Sequence, residues 1–257
     1  MYRPRIIPVM LLKGEGLTKT IKFKNERYIG DPINAVKIFN DLRADELVFL
    51  DILASKEKRT ISLDLIREVG EEANMPFAAG GGIKSIQNIK EIINAGAEKV
   101  IINTAACLNI DFIEKASNEF GKSTIVVCID IKKSKFGKYK ILNLPRTHPL
   151  KNNPIEFAKL IELKGAGEII VQSVDNDGVM KGYDYKLLKT VSDAVSIPVI
   201  SLGGAGSISD FEKAINNSHV SAVGAGSLFI YHGSRRGILI NYLNYEEKNH
   251  LKIQQNE

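Results

Sequence analysis

Acidic side chains follow several of the short apolar segments in this 257-residue chain. Asp130 ends the segment TIVVCID, and Asp177 lies just beyond the segment EIIVQSV. A carboxylate at the end of a buried strand tends to have a raised pKa, which suits it to exchange protons near neutral pH. Asp130 is therefore the best candidate for acid–base catalysis. Asp51 fits a hydrogen-bonding scaffold better, and Asp177, within DNDG, fits a turn and a binding role equally well.

Two glycine-rich segments have the composition of phosphate-binding turns. GGGIKS begins at Gly80 and GGAGSIS at Gly203, each between an apolar segment and a helical pattern. Backbone N–H groups at the start of a helix bind phosphate when no Cβ blocks the approach. Thr104 and Ser227 end the next apolar segments, so each turn has a hydroxyl neighbour. The pattern favours a ligand with a phosphate at each end, although tight turns alone would also require glycine.

Four charged residues stand at the starts of apolar segments: Arg5, Glu46, Lys99 and Glu168. In a barrel of parallel strands these positions meet at the N-terminal opening. Their charges sum to zero, and charges that are buried must be paired. The pattern is compatible with a ring of salt bridges across that opening, and equally with four unrelated surface charges.

The longer connections and the remaining reactive residues indicate further roles. The basic segment 13–30 is expected to be a loop over an anionic ligand, with Lys19 as a phosphate partner. In segment 132–153, polar and apolar residues alternate enough to predict a small hairpin.

The four histidines lack metal-ligand spacing, so no metal and no cofactor are expected. Cys107 and Cys128 lie in apolar contexts, where they fit core thiols better than nucleophiles.

The composition narrows the class of protein. The chain is 44% hydrophobic and 25% charged with a net charge of +5, which is typical of a soluble globular domain. No array of aromatic and basic residues indicates nucleic-acid binding. No signal peptide and no apolar segment of membrane-spanning length are found. Two cysteines without a CxxC pattern fit a reducing cytoplasm.

Eight short segments rich in valine and isoleucine are positioned to carry these candidates. They alternate with helical patterns along the whole chain, which predicts a closed parallel (βα)8 TIM barrel as one domain over 1–257. An open doubly wound sheet is the competing fold, but no GxGxxG follows the first segment. The predicted strands are 5–11, 46–52, 76–82, 99–105, 124–130, 168–174, 198–204 and 221–227.

The sequence also repeats internally. Gly80 aligns with Gly203 and Thr104 with Ser227 at the same offset of 123 residues. Two shared features at one offset indicate two similar half-barrels, approximately 1–122 and 123–247, followed by a C-terminal tail, 248–257. The repeat places Leu11, at the end of the first predicted strand, in correspondence with Asp130. One half therefore has a carboxylate where the other has an inert side chain.

Several helix starts are marked by capping residues. Asp31 and Asn153 each precede a proline, which is favoured at the first helical position. Ser85 and Ser209 are expected to cap two later helices.

The chain resembles the cyclase (HisF-type) subunit of imidazole glycerol phosphate synthase over nearly its full length. The resemblance rests on RIIPV (5–9), GDP (30–32), DELVFLDI (45–52), PFAAGGGI (76–83), KVIINTAA (99–106), GAGEI (165–169), DNDGVMKGYD (175–184), GGAG (203–206) and SLF (227–229). It implies a barrel of two half-barrels, with a separate HisH-like glutaminase subunit docked on the N-terminal face. Ammonia then crosses the barrel to a bis-phosphorylated ribulosyl ligand. The ligand incorporates the ammonia and is cleaved into an imidazole product and a carboxamide product.

The resemblance also assigns roles to individual residues. It makes the four charges at the strand starts an ammonia gate, and Asp130 one member of a catalytic aspartate pair. The phosphate- and substrate-binding positions that it implies are Lys19, Gly82, Asn103, Thr104, Asp177, Gly178, Gly204, Gly226 and Ser227.

The chain departs from the family pattern at the second catalytic aspartate, where it has Leu11. Gln172 replaces a small hydroxyl residue, and PRTHPLKNN (145–153) replaces the usual segment after strand 5. A leucine cannot carry a proton, so ring closure should be impaired. The first hypothesis is a divergent, ammonia-using subunit that works with a glutaminase and a sugar amidotransferase in polysaccharide biosynthesis. The alternatives are a cyclase of histidine biosynthesis and a non-catalytic activator of the glutaminase.

Overall fold

The computed structural model describes residues 3–142 and 153–251. The strands within these ranges are β1 (Arg5–Lys13), β2 (Gly16–Ile21), β3 (Lys24–Gly30), β4 (Leu47–Asp51), β5 (Phe77–Gly80), β6 (Lys99–Ile102), β7 (Ile125–Lys133), β8 (Tyr139–Ile141), β9 (Glu168–Ser173), β10 (Val199–Leu202), β11 (Ala222–Ala225), β12 (Tyr231–His232) and β13 (Gly237–Ile238).

The helices alternate with these strands. They are α1 (Pro32–Asp41), α2 (Leu63–Glu72), α3 (Ile86–Asn94), α4 (Thr104–Leu108), α5 (Asp111–Phe120), α6 (Pro154–Leu163), α7 (Tyr185–Ser192), α8 (Ile208–Ser218), α9 (Ser227–Ile230) and α10 (Tyr245–His250), with a 3-10 turn at Lys122–Thr124. Among these helices, none combines the length and the apolar character needed to cross a membrane.

Eight of the described strands close into a parallel barrel. Their order around it is β1, β4, β5, β6, β7, β9, β10 and β11, and β11 pairs with β1 to complete the ring. This confirms the predicted (βα)8 TIM barrel. In this order β1 and β7 are four strands apart in either direction, so their side chains face each other across the barrel axis.

The two faces of each barrel strand pack into different cores. Alternate residues such as Ile7 and Val9 of β1, and Val126 and Cys128 of β7, form an apolar cluster inside the barrel. The intervening residues pack outwards against the helices. Because the side chains of a strand alternate between faces, Leu11 and Asp130 both continue the inward series of their strands. Both side chains therefore face the barrel interior, while the correspondence inferred from the repeat stays a prediction.

The expectation of a loop over 13–30 is wrong. Residues 16–21 and 24–30 form β2 and β3, an antiparallel hairpin that pairs with the end of β1. Pairing with β1 satisfies backbone groups that a loop would leave to water. The predicted hairpin after strand 5 is confirmed in part, since β8 pairs with β7. Most of PRTHPLKNN lies outside the described residues.

Three of the four predicted helix caps are confirmed. The side chains of Asp31, Ser85 and Asn153 accept hydrogen bonds from the first turns of α1, α3 and α6. The prediction for Ser209 is wrong, because Ser207 caps α8. Asp210 lies three residues after Ser207, and the two form a reciprocal capping box that fixes the helix start earlier.

The ends of several elements also differ from the expectation. Strands β6 and β11 stop before Thr104 and Ser227, which instead begin the short helices α4 and α9. At the C-terminus, α10 covers residue 248, where the tail was expected to begin, and Leu251 is buried.

Candidate active site

A cavity of about 430 Å³ opens at the C-terminal ends of the barrel strands. This is the end at which TIM barrels carry their active sites. All of the predicted catalytic and phosphate-binding positions line it: Leu11, Lys19, Gly82, Asn103, Thr104, Asp130, Asp177, Gly178, Gly204, Gly226 and Ser227.

Asp130 lies at the end of the inward series of β7. Its Oδ2 accepts a hydrogen bond from Asn103 Nδ2 at 3.0 Å. Burial raises the pKa of Asp130 to about 6, the Asn103 hydrogen bond opposes this rise, and repulsion from Asp177 adds to it. A carboxylate with such a pKa is mostly ionised at neutral pH and still takes up a proton readily. Asp130 can therefore serve as a proton acceptor and donor in the cavity.

Leu11 occupies the position across the barrel from Asp130. It packs against the apolar cluster inside the barrel together with Leu50 of the neighbouring strand β4. Its other neighbour in the ring, β11, presents Ala225 to the cavity. The side chains of Leu11, Leu50 and Ala225 therefore bring no hydrogen-bonding group to this wall, and the Lys19 ammonium lies beside it at the Val9 carbonyl.

No other carboxylate takes the place of Leu11 within the described lining of the cavity. Besides Asp130 and Asp177, the acids there are Glu26 and Asp51. Glu26 pairs with Lys13 on the hairpin. Asp51 accepts hydrogen bonds from the backbone of the following turn and pairs with Arg59 at 2.5 Å. Asp51 thus organises the turn after β4, as the sequence led us to expect of a scaffold residue.

The raised pKa of Asp130 predicts a pH-dependent stability. The carboxyl group has an ordinary pKa near 4 in the unfolded chain and a pKa of about 6 in the folded one. Its contribution to the free energy of unfolding is therefore full below pH about 4 and is lost as the pH rises through about 6. We expect the Asp130→Asn variant to gain stability relative to the wild type across this interval in urea unfolding experiments.

The control for this experiment is Asp64→Asn, which changes an exposed carboxylate on α2. A difference between Asp130→Asn and the wild type that stays constant from pH about 4 to about 7 would contradict the assignment of a raised pKa.

Asp177 joins the turn after β9 to the hairpin. Its Oδ2 accepts hydrogen bonds from Thr20 Oγ1 at 2.7 Å and from the Phe23 backbone N–H at 3.3 Å. Its backbone carbonyl accepts one from the Lys22 N–H at 2.9 Å. Burial raises the pKa of Asp177, although these hydrogen bonds oppose the rise. Asp177 is thus a turn residue that also lines the cavity, and its binding role stays a prediction.

Lys19 points inwards from β2. Its Nζ donates a hydrogen bond to the Val9 carbonyl at 2.5 Å, and the side chain is buried. Burial lowers the pKa of Lys19 to about 8, and attraction to Asp177 limits the fall. A lysine with this pKa is still largely cationic at neutral pH, so it can meet an anionic ligand from within the cavity.

The glycines of the cavity are required by the backbone itself. Gly82 and Gly178 both have φ +67°, and a Cβ there would collide with the carbonyl oxygens of Arg59 and Thr20 respectively. Gly204 has φ +123°, and a Cβ there would collide with the Gly182 carbonyl oxygen. These turns therefore need glycine with or without a phosphate, and phosphate binding stays a prediction.

The opposite end of the barrel carries a closed ring of charges. Arg5 bonds Glu46 at 2.5 Å and Glu168 at 2.9 Å. Lys99 Nζ lies 3.2 Å from Glu46 and 3.0 Å from Glu168. Each cation therefore contacts both carboxylates, and the ring is neutral. The sequence brings these four residues together as expected, while their role as a gate stays a prediction.

The sequence analysis missed Thr20, which lines the cavity, and Arg59, which supports a lining residue from outside it. Each orients an acid of the lining, Asp177 or Asp51. Thr20 and Asp177 are 157 positions apart, so no local pattern could connect them.

Comparison with known proteins places this site in a family. A model described as "Histidine biosynthesis protein" matches residues 5–235. The chain belongs to this histidine biosynthesis family. It is 45% identical to a Pseudomonas aeruginosa protein named "Putative imidazole glycerol phosphate synthase subunit hisF2", over 94% of this chain and 96% of the relative. It is 42% identical to the Vibrio vulnificus protein of the same name ending in hisF3, over 96% of both.

A further relative is the "Imidazole glycerol phosphate synthase subunit HisF" of Alkaliphilus metalliredigens, which is 38% identical over 90% of this chain and 92% of its own. These names confirm the HisF-type resemblance. This member of the histidine biosynthesis family has the cavity and the charged ring at opposite ends of its barrel, with Leu11 facing Asp130 across the cavity.

Proposed function

We propose that this chain is the ammonia-using synthase subunit of a glutamine amidotransferase complex that transfers nitrogen to a phosphorylated sugar. A separate HisH-like glutaminase would dock at the N-terminal face of the barrel. The observation that carries this proposal is the contrast between the two ends. The charged ring at the floor has all four members, whereas the roof has one carboxylate of the family's pair and a leucine opposite it.

The floor supports the entry of a small neutral molecule. The ring formed by Arg5, Glu46, Lys99 and Glu168 closes the N-terminal opening with long side chains. If Lys99 swings aside, Arg5 still bridges both carboxylates, and the ring then carries one net negative charge. This supports a gate that opens when a glutaminase docks.

The interior supports passage of ammonia in its neutral form. The cluster above the ring consists of apolar side chains such as Ile7, Val48, Val126 and Ile170. An ammonium ion would lose its hydration there without gaining a partner, at a cost far above that of neutral ammonia. Only the neutral form should therefore reach the cavity.

The roof supports nitrogen transfer with a single proton carrier. When ammonia attacks a carbonyl carbon of the acceptor, the N–C bond forms as the C=O π bond breaks, which leaves a positively charged nitrogen and an alkoxide oxygen. Asp130 would take the proton from the nitrogen and pass it to the oxygen. Lys19 and the glycine turns would hold the phosphorylated ends of the acceptor. Ring closure to an imidazole needs further proton transfers, and Leu11 cannot perform them.

The finer proposal is sugar amidation in polysaccharide biosynthesis, in the cytoplasm and together with a sugar amidotransferase. We expect a deletion strain to remain a histidine prototroph and to lose the amidated sugar from its surface polysaccharide, as measured by mass spectrometry. The gene should also fail to complement a histidine auxotroph lacking its own cyclase subunit. Full complementation would instead support the alternative of a histidine-pathway cyclase.

The second alternative, a non-catalytic activator of the glutaminase, is tested in the same deletion strain. Reintroducing the Asp130→Asn variant should not restore the amidated sugar if Asp130 carries the proton. Restoration to the wild-type level would favour the activator, because the altered group lies in the cavity and not at the charged floor.

A further inference from the structure

Gln172 has an unused hydrogen-bonding group beside the cavity. It lies on β9 in register with Asp130 of β7, so the two inward-facing side chains are neighbours. Gln172 is 5% exposed and contributes to the lining of the cavity. Its Oε1 is buried and has no hydrogen-bond partner among the described residues.

The orientation of the Gln172 amide is set by Asp177. Its Nε2 donates to Asp177 Oδ1 at 3.4 Å. An ionised carboxylate only accepts hydrogen bonds, so the NH2 group must face it and the amide oxygen must face elsewhere. The Gln172 Oε1 atom is therefore left without a donor because the NH2 group of the same amide is turned towards Asp177.

A buried acceptor without a partner is unfavourable, and most native structures avoid it. On the opposite wall, the side chains of Leu11 and Leu50 cannot supply a donor, and the Lys19 ammonium beside them donates to the Val9 carbonyl. The cavity thus has a hydrogen-bond-accepting edge along β7 and β9, opposite the apolar side chains of Leu11 on β1 and Leu50 on β4. A ligand that fits both edges carries hydroxyl or amine hydrogens on one side only.

We propose that Gln172 is a specificity-determining residue, whose amide oxygen accepts a hydrogen bond from a hydroxyl or amine of the bound ligand. It selects sugar-like chains over equally charged chains without donors. This inference rests on the proposed function in one respect, namely that the cavity binds a phosphorylated sugar.

The test uses two probes of equal length and charge. Ribulose 1,5-bisphosphate carries hydroxyl groups between its phosphates, and pentane-1,5-diol bisphosphate has none. Affinities of the full chain for both are measured by titration calorimetry, without ammonia and without a glutaminase. We expect the wild type to prefer the ribulose compound, and Gln172→Met, which keeps the length but removes the amide, to lose about 5-fold to about 150-fold of that preference.

Two further variants make the result specific. Gln172→Ala removes the amide altogether, and it should lose the preference as Gln172→Met does. Leu202→Met changes the residue paired with Gln172 on β10. This control should alter both affinities by the same factor and keep their ratio.

An unchanged preference in both Gln172 variants would overturn the proposal. So would the failure of the wild type to bind either probe, or equal binding of both probes. Nitrogen transfer is not measured here, so the loss of this inference would leave the deletion-strain results standing. Conversely, a changed ratio of the two probe affinities would still support the role of Gln172 even if the acceptor of the complex were not a polysaccharide sugar.

Discussion

The Leu11→Asp variant is expected to close the imidazole ring of the family's ribulosyl ligand about 10²–10⁴-fold faster than the wild type, with ammonium as the nitrogen source. Leu11 lies across the barrel from Asp130 at the same inward-facing level, so the substitution places a second carboxylate opposite the first. The apolar neighbours Val9 and Leu50 should raise the pKa of the introduced aspartate. The rate is therefore measured from pH 7 to pH 9, by formation of the imidazole product.

The matched control is Leu11→Asn, which has nearly the same shape as aspartate but cannot carry a proton. It should remain as slow as the wild type. Adding Asp130→Asn to Leu11→Asp should abolish the gain, because the two carboxylates act as a pair. If Leu11→Asp and Leu11→Asn behaved alike, the missing proton carrier would not be what limits ring closure.

The Lys99→Met variant is expected to lose about 3 kcal/mol of stability, because it leaves Glu46 and Glu168 facing each other with one cation fewer. Glu46 is 3% exposed, so water cannot replace the lost partner. The measurement is urea unfolding at pH 7.

The control is Lys164→Met, which removes a lysine bonded to Asp111 and Glu114 on the outer surface. Both of those acids are mostly exposed, so the expected loss is much smaller than that of Lys99→Met. Equal losses of stability in the two variants would show that Lys99 stabilises the charged ring no more than a surface ion pair stabilises its surroundings.

The architecture was accessible from the sequence because each barrel strand is a short apolar segment followed by a helical pattern. The repeat at one offset also aligns Leu11 with Asp130. Both signals are patterns in the order of residues along the chain, so they can be read without the folded structure. The division into half-barrels is a sequence pattern only, and it stays a prediction.

What the sequence could not provide depends on partners that are distant along the chain. The hairpin of β2 and β3 forms because it pairs with β1, and the segment itself looks like a basic loop. The link between Thr20 and Asp177 has no local signature. The free oxygen of Gln172 follows from the carboxylate that holds its NH2 group, which only the folded chain brings near. Helix α8 is capped by Ser207 and not by Ser209, because the capping box forms between Ser207 and Asp210.

The central claim is that the barrel still receives ammonia at its floor while its roof no longer closes the ring. The most direct test is the ratio of imidazole product to glutamate released when the wild-type chain, its glutaminase and the ribulosyl ligand are supplied with glutamine. We predict glutamine hydrolysis that depends on the chain, with a ratio of about 0.01 or less, since the pair of proton carriers is incomplete. A ratio close to one would contradict the claim, because ring closure would then keep pace with ammonia release.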